Sequence, residues 1–140
     1  MPKIKRLIFM VMLLLLTACV GEETIRNQTF EKAINSELKK AGTTEIRLKE
    51  HTDFPWDKAF VFTPYTSNEQ IQEQLADNDI DSKLESSIEY LDGFNLIVFT
   101  NDGEVVQYAE VSRKYGDLKV KENNGFTPEH DEVPVQLHNS

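Results

Sequence analysis

A histidine and a carboxylate lie close enough in the sequence to suggest acid–base chemistry. His51 precedes Asp53 by two positions, and a carboxylate beside an imidazole can orient it as a general base. A small hydrolase using this pair is therefore one hypothesis. The sequence has no Gly-x-Ser-x-Gly motif and no cysteine nucleophile to accompany the pair. The simpler interpretation is a histidine in a surface loop, with no catalytic residue assigned.

Acidic segments raise the separate possibility of a bound cation. Carboxylates and histidines cluster at residues 129–132 and at His138, but their spacing matches no known two-ligand motif. Aspartates alternate over residues 77–81 like the start of a calcium loop, yet the positions that need glycine and glutamate hold Ser82 and Ile88. A cation-binding protein stays an alternative, and we assign no metal ligand and no cofactor.

Three residues around one apolar run form the candidate binding surface. Trp56, Asp57 and Tyr65 flank residues 59–62, and aromatic rings beside a carboxylate suit a protein partner or a small ligand. The alternative is structural. In that interpretation Trp56 and Tyr65 fix the two ends of an interior strand, and Asp57 caps a turn.

The N-terminal residues carry the most specific pattern in the chain. Three basic residues precede an unbroken apolar run over residues 7–16, and Thr17-Ala18-Cys19 follows. This order is typical of a secretory signal. The run is too short to span a bilayer, which takes about 20 residues. Leu16-Thr17-Ala18-Cys19 resembles the lipobox of bacterial lipoproteins. The resemblance implies that residues 1–18 are cleaved and that Cys19, the sole cysteine, carries a diacylglyceryl lipid.

The resemblance also implies a location and a role. Two acyl chains attach a protein stably to a bilayer, whereas one chain binds reversibly. We therefore expect a lipid-anchored protein on the extracytoplasmic face of the cell membrane. With no catalytic set in view, a non-enzymatic binding or accessory role is the leading hypothesis, with the lipid bilayer and possibly an envelope protein as partners.

The charge balance limits the classes of partner. The whole chain carries a net charge of −9, and removal of Lys3, Lys5 and Arg6 with the signal would leave 12 basic and 24 acidic residues, or −12. Nucleic-acid binding needs a basic surface, so no nucleic-acid partner is expected. An acidic domain is also repelled by an anionic bilayer surface, and we expect it to stand off the membrane.

Periodicity predicts one α+β domain behind a tether. The predicted divisions are a lipidated tether at 19–28, the domain at 29–122 and a weakly structured C-terminal tail at 123–140. Within the tail, the alternation of Val133, Val135 and Leu137 allows one weak strand. Apolar residues recur at helical spacing over 30–41. A second, shorter helix is predicted over residues 67–76, started by a capping box of Thr66 and Glu69. Thr29 is the predicted cap of the first helix.

Alternating and continuous apolar runs predict the strands. The predicted strand segments are residues 44–50, 59–62, 94–100, 105–112 and 118–121. Asp102-Gly103 predicts a two-residue hairpin turn, and strict alternation places Val105 on the sheet face opposite Tyr108. The expected fold is α+β, with an antiparallel sheet of four to five strands covered on one face by the N-terminal helix and the second short helix.

A second resemblance covers about half of the domain. Phe54-x-Trp56-Asp57, Phe62-x-Pro64-Tyr65-Thr66, Ile71 and Val98-Phe99 resemble the pattern of a family of small uncharacterised bacterial lipoproteins and exported proteins. The stretch runs roughly from Asp53 to Val111. Members commonly have glycine after the short helix, where this chain has Asp77-Asn78. The family has no assigned activity, so the resemblance implies a fold and a compartment only.

Overall fold

The structure is a computed structural model that describes residues 25–76, 84–120 and 125–138. These residues form an α+β fold with two helices and two sheets, which confirms the predicted class. The elements in chain order are β1 Ile25–Arg26, α1 Gln28–Leu38, β2 Glu45–Arg47, a 3₁₀ helix Leu48–His51, β3 Lys58–Phe62, α2 Asn68–Leu75, β4 Phe94–Asn101, β5 Glu104–Ser112, β6 Gly116–Leu118 and β7 Glu132–Leu137.

The first sheet has the strand order β1-β5-β4-β3. Strands β3, β4 and β5 are antiparallel neighbours, whereas β1 pairs in parallel with β5. The sheet is therefore mixed, which corrects the expectation of a purely antiparallel one. The predicted hairpin between β4 and β5 is confirmed, because Asp102 and Gly103 both have positive φ angles, 51° and 80°. Two positive φ angles are the requirement of a type I′ turn.

Both faces of this sheet are covered, and the two helices lie on opposite faces. Helix α1 and the second sheet cover one face, and α2 covers the other. The first cluster includes Phe30, Ile34, Ala59, Val61, Ile97, Phe99, Ala109 and Val133. The second cluster includes Phe60, Phe62, Ile71, Leu75, Leu96, Val98, Val105 and Tyr108. The prediction of two helices on one face is therefore wrong, because β3 and β4 carry large apolar side chains on both sides and each side must be shielded from water.

A β-bulge changes the alternation in β5. Phe99 is registered with Gln107, but the next residue, Thr100, is registered with Val105. The extra residue between these pairs is Val106. A bulge inserts one unpaired residue and reverses the alternation beyond it. Val105 consequently shares a cluster with Tyr108, whereas strict alternation placed the two on opposite faces.

The helix starts differ from the predicted ones by one or two residues. Helix α1 is capped by Asn27, whose side chain accepts a hydrogen bond from the backbone N–H of Phe30 at 2.9 Å. The capping box of α2 uses Ser67 and Gln70, one residue after the predicted pair. Both observed caps satisfy backbone N–H groups that a helix start leaves unpaired.

The second sheet, of order β2-β7-β6, contains the segment predicted to be a weakly structured tail. Strand β7 lies between β2 and β6 and is antiparallel to both. Val133 of β7 is fully buried. The weak strand that the alternation of Val133, Val135 and Leu137 allows is therefore present as β7, and the prediction of a weakly structured tail is wrong over these residues, because pairing on both edges gives them backbone partners.

Two smaller predictions are corrected in the same region. The strand expected over 44–50 ends at Arg47, and the chain turns into the 3₁₀ helix. Asp131 fixes this change, because its backbone oxygen accepts from the N–H of Leu48 at 3.1 Å and its carboxylate accepts from the N–H of Lys49 at 2.9 Å. The expected edge strand at 118–121 is β6, which lies earlier, at Gly116–Leu118.

Candidate functional site

The predicted lipid-bearing residue, Cys19, lies outside the described residues. The structure begins at Ile25, so the residues between Cys19 and β1 number five. Of the predicted tether, 19–28, residues Ile25 and Arg26 form β1 and Gln28 begins α1, so its last residues belong to the folded domain.

A charged cluster fastens β1 to the rest of the domain. The Arg26 guanidinium donates to both carboxylate oxygens of Glu31 on α1, at 2.9 and 3.0 Å. It also lies 3.2 Å from the carboxylate of Glu110 on β5. Glu31 in turn accepts from the backbone N–H of Glu110 at 3.0 Å. The hydrogen bond to Glu31 raises the pKa of Arg26 above its usual value, so Arg26 keeps its positive charge. We call Arg26, Glu31 and Glu110 the clasp.

The structure does not bring the predicted binding residues together. Trp56 is only 8 % exposed, packs its ring 5.4 Å from that of Phe99, and donates its indole N–H to Thr52 at 3.0 Å. Asp57 accepts from the backbone N–H of Asp102 at 2.9 Å and so caps the β4–β5 turn. Both residues lie at one end of β3, and Tyr65 lies beyond the other end. These positions match the structural alternative for Trp56 and Asp57.

Tyr65 instead joins an exposed aromatic surface, which we define as Tyr65, Tyr90 and Leu91. Their side chains are 64 %, 76 % and 51 % exposed. The backbone N–H of Tyr65 donates to the carbonyl of Ile88 at 2.8 Å, which places it against the turn that carries the other two. Isolated exposed apolar residues are ordinary, but three on adjacent segments form a patch of the kind seen at interaction sites.

Arg113, which follows β5, binds the backbone of the turn that follows Leu91. Its guanidinium donates to the backbone oxygen of Asp92 at 2.6 Å and pairs with Asp117. Its backbone N–H donates to the carbonyl of Gly93 at 3.0 Å. The hydrogen bond that Arg113 donates to the carboxylate of Asp117 raises the pKa of Arg113. These contacts fix the turn after Leu91 to the end of β5.

Two lysines lie over the ring of Tyr115, which packs against the first cluster. The ammonium groups of Lys39 and Lys114 lie 5.7 and 5.5 Å from the ring centroid of Tyr115. These distances are within the range of cation–π attraction. We call Lys39, Tyr115 and Lys114 the basic flank. Neither lysine forms an ion pair with a carboxylate of the described residues.

Asp117→Asn is expected to lower the free energy of unfolding at pH 7 and to have little effect once the pH has fallen through the depressed folded-state pKa of Asp117. The Arg113 hydrogen bond holds the pKa of Asp117 below its usual value of 3.8. A depressed pKa stabilises the fold above the unfolded-state pKa, and that stability is lost as the pH falls through the folded-state value. Because the side chain is 33 % exposed, the loss should be below about 1 kcal/mol. Urea unfolding from pH 7 into the acid range measures the loss of unfolding free energy, with Asp53→Asn as the control. A loss that does not shrink as the pH falls would contradict the stabilising role of the Asp117–Arg113 hydrogen bond.

The predicted pairing of His51 with Asp53 is not formed. The Nε2 atom of His51 instead lies 2.6 Å from a carboxylate oxygen of Glu37 on α1, and Asp53 is exposed. The ring of His51 also meets the edge of Phe30, with centroids 6.4 Å apart. Through these contacts with Glu37 and Phe30, the imidazole of His51 joins the 3₁₀ helix to α1.

The residues considered for a cation are dispersed. Asp131 supports the 3₁₀ helix, and His138 bonds to Asp117 at 2.8 Å. Over residues 25–76, 84–120 and 125–138, no group of three or more His, Cys, Asp or Glu side chains is placed to hold a metal ion. The aspartates at 77–81 lie outside those residues.

Most of the aromatic surface has only a weak signal in the sequence. Tyr90 and Leu91 fall outside every helix and strand that the sequence predicts, and the signal that could have identified them is an apolar pair directly before the Asp92-Gly93 turn. The basic flank gives no local signal, because Lys39 and Tyr115 are far apart in the sequence and meet only where α1 ends beside the residues after β5.

The fold and site define a small α+β protein with two sheets and an exposed aromatic surface at one end of the first sheet. No protein-family model, no curated protein and no solved structure matches the chain. Among the described residues, none of the helices has the length and apolar character needed to cross a membrane.

Proposed function

We propose that the chain is a lipoprotein held on the extracytoplasmic face of the cell membrane by a lipid on Cys19, where its domain binds another envelope protein without catalysing a reaction. The observation that carries the proposal is the sequence Leu16-Thr17-Ala18-Cys19 after a basic and apolar segment. A lone cysteine in an exported protein otherwise leaves a free thiol or an intermolecular disulfide to be explained, and lipidation accounts for it.

The domain supports the binding half of the proposal. Its exposed rings at Tyr65 and Tyr90 are of a residue type enriched at protein interfaces, and they lie on segments fixed by hydrogen bonds. Anchoring confines the domain to a thin layer beside the membrane, which raises its effective concentration for a partner in the same layer. A modest contact area is then sufficient for occupancy.

Cys19→Ala is expected to abolish membrane attachment. The wild-type chain, expressed in a bacterium and separated by detergent phase partitioning, should enter the detergent phase because two acyl chains anchor it stably. The variant, which has no thiol to accept the lipid, should remain in the aqueous phase. Mass spectrometry of the N-terminal peptide supplies the direct measurement, with Ser36→Ala as a control that retains Cys19. An unmodified Cys19 thiol in the mature wild-type product would refute the proposal.

A further inference from the structure

The two segments that carry the aromatic surface meet at one end of the first sheet. Residues 63–76 follow β3, and residues 84–93 precede β4. Because β3 and β4 are antiparallel, the end of one strand lies beside the start of the other. The backbone N–H of Tyr65 donates to the carbonyl of Ile88 at 2.8 Å, two residues before Tyr90. A hydrogen bond therefore joins the two segments directly.

Arg113 links Tyr65 with the turn that follows Leu91. Its guanidinium donates to the backbone oxygen of Asp92 at 2.6 Å. The pKa of Arg113 is raised first by its hydrogen bond with Asp117, and the nearby Asp92 and Tyr65 raise it further. Tyr65 and Asp92 are therefore both neighbours of one guanidinium.

The same two segments are more acidic than the chain as a whole. Residues 63–76 and 84–93 contain five carboxylates and no lysine, arginine or histidine, whereas the mature chain has one basic residue for every two acidic ones. Among the residues that the structure describes, none of the five forms an ion pair with a cation. Their charge is consequently available to a partner. The five are Glu69, Glu73, Glu85, Glu89 and Asp92.

The two cations at the end of β5, Arg113 and Lys114, do not cancel this charge. Arg113 is paired with Asp117, so the pair is neutral. The ammonium group of Lys114 lies 5.5 Å from the ring centroid of Tyr115. Counting the charge of Lys114 against the five carboxylates still leaves an excess of four negative charges.

Exposed tyrosine rings attract the same kind of group as carboxylates do. The face of an aromatic ring is negative, and a lysine or arginine cation within about 6 Å of the ring centroid is attracted to it. Lys39 and Lys114 show this arrangement at Tyr115 in the same domain. Tyr65 and Tyr90 are 64 % and 76 % exposed, so their rings are accessible to a cation of another molecule.

The geometry points to the aromatic surface and its acidic rim, which we define as Glu89 and Asp92, as the docking site for a basic segment of another envelope protein. Lysine or arginine side chains of this segment lie over the tyrosine rings and pair with the rim carboxylates, and its apolar groups cover Leu91. Opposite charges speed the association and select against other partners. The inference rests on the proposed function and supplies the chemistry of the envelope partner.

The backbone of Tyr65 supplies an independent reason to regard its ring as functional. Its φ angle is +65°, a left-handed conformation that is unfavourable for a bulky residue. A ring that is mostly exposed recovers little of this cost by burial. Asparagine adopts the same conformation readily. Tyr65→Asn therefore removes the ring without a new backbone cost.

The negative charge excludes the other common occupants of such a surface. A second copy that binds through the same surface about a two-fold axis brings each acidic rim against its own equivalent. Nucleic acid and anionic headgroups carry the same sign of charge as the rim. A neutral glycan covers the rings but leaves the carboxylates without a counter-charge. A basic protein segment matches both the rings and the rim.

Titration with charged polymers tests the partner chemistry. The lipoprotein in detergent micelles is titrated with a random copolymer of lysine and tyrosine and with a matched copolymer of glutamate and tyrosine. The lysine copolymer should bind with an affinity that falls as salt is added, and the glutamate copolymer should not bind. Preference for the glutamate copolymer, or binding of neither polymer, overturns the inference.

Matched charge variants locate the contact, because an acidic chain attracts cationic polymers at many places. Glu89→Gln with Asp92→Asn should weaken binding of the lysine copolymer about fivefold, as expected for the loss of two exposed ion pairs. The control pair is Glu50→Gln with Glu104→Gln, which removes the same charge from exposed positions elsewhere and should leave the affinity nearly unchanged. Equal weakening by the two pairs overturns the inference.

Ring variants test the aromatic part of the surface. Tyr65→Asn and Tyr90→Ser should each weaken binding of the lysine copolymer about threefold at unchanged melting temperature, and dextran, a neutral glycan, should not compete. Unchanged affinity in both variants, or competition by dextran, overturns the inference. Failure of the proposed function is read separately, as an unmodified Cys19 thiol in the mass spectrum of the same sample.

Discussion

Phe99→Ala is expected to lower the free energy of unfolding by about 3–5 kcal/mol, the usual cost of truncating a fully buried phenylalanine. The ring of Phe99 is completely buried on β4. It meets the rings of Phe30, Phe54 and Trp56 edge-on, with centroid distances of 5.4, 5.1 and 5.4 Å. Edge-to-face pairs add to the area that such rings bury. The truncation therefore removes contacts from α1, from the loop before β3 and from β4 together.

Urea unfolding of the mature chain, kept free of lipid by Cys19→Ser, measures the effect. Phe94→Ala on the same strand is the matched control, since Phe94 is only half-buried and should cost clearly less. A loss for Phe99→Ala no larger than that of the control would show that the four rings are not the centre of the first cluster.

Gly125→Ala is expected to lower the free energy of unfolding by about 2–4 kcal/mol, combining overpacking with a left-handed backbone. Its φ angle is +66°, and an added Cβ would lie 2.6 Å from the backbone oxygen of Ala59 and 3.0 Å from the ring of Phe60. Neither neighbour can move easily. Ala59 is paired with Phe126 through two backbone hydrogen bonds of 2.8 and 2.7 Å, and Phe60 is buried in the second cluster.

Gly42→Ala separates the two causes. Gly42 has a φ angle of +82° but no atom within 4 Å of an added Cβ, so it carries the backbone cost of roughly 1 kcal/mol without the clash. Chemical denaturation of both variants gives the difference. If the two substitutions proved equally costly, the close approach of Gly125 to β3 would be disproved.

The parts of the fold predicted correctly from sequence are those with strong local signals. The type I′ turn at Asp102-Gly103 and the apolar strand β4 need no information from distant residues, because the turn depends on two φ angles and the strand on a run of apolar side chains. The class of fold followed from them. Helix α1 was predicted from its spacing, and only its ends moved.

The parts missed depend on residues far apart in the sequence. The alternation of Val133, Val135 and Leu137 allows a strand at β7, but it does not predict that β2 and β6 pair with that strand on both edges. The bulge at Val106 cannot be predicted from alternation, because alternation assumes an uninterrupted register between the two strands. The helices lie on opposite faces because β3 carries apolar side chains on both sides, and each side must be covered. The sequence indicates an interior strand here, but it does not indicate which element covers each face.

The candidate site shows the same division. Trp56 and Tyr65 are close in the sequence, which suggests a shared binding surface. An extended strand of five residues separates them in the structure. Residues at the two ends of a strand are far apart in space even when they are close in the sequence, because each residue advances the chain by about 3.3 Å. Tyr65 and Tyr90 are distant in sequence, but one backbone hydrogen bond joins their segments.

The parallel pairing of β1 with β5 has a mechanical consequence. Tension applied between Ile25 and the opposite end of the sheet acts along the strand direction, which is across the interstrand hydrogen bonds. Bonds loaded in this shear geometry must rupture together, whereas bonds peeled from one end rupture singly. The two-residue β1 and the clasp of Arg26 are therefore loaded in shear and are not peeled from β5 one bond at a time.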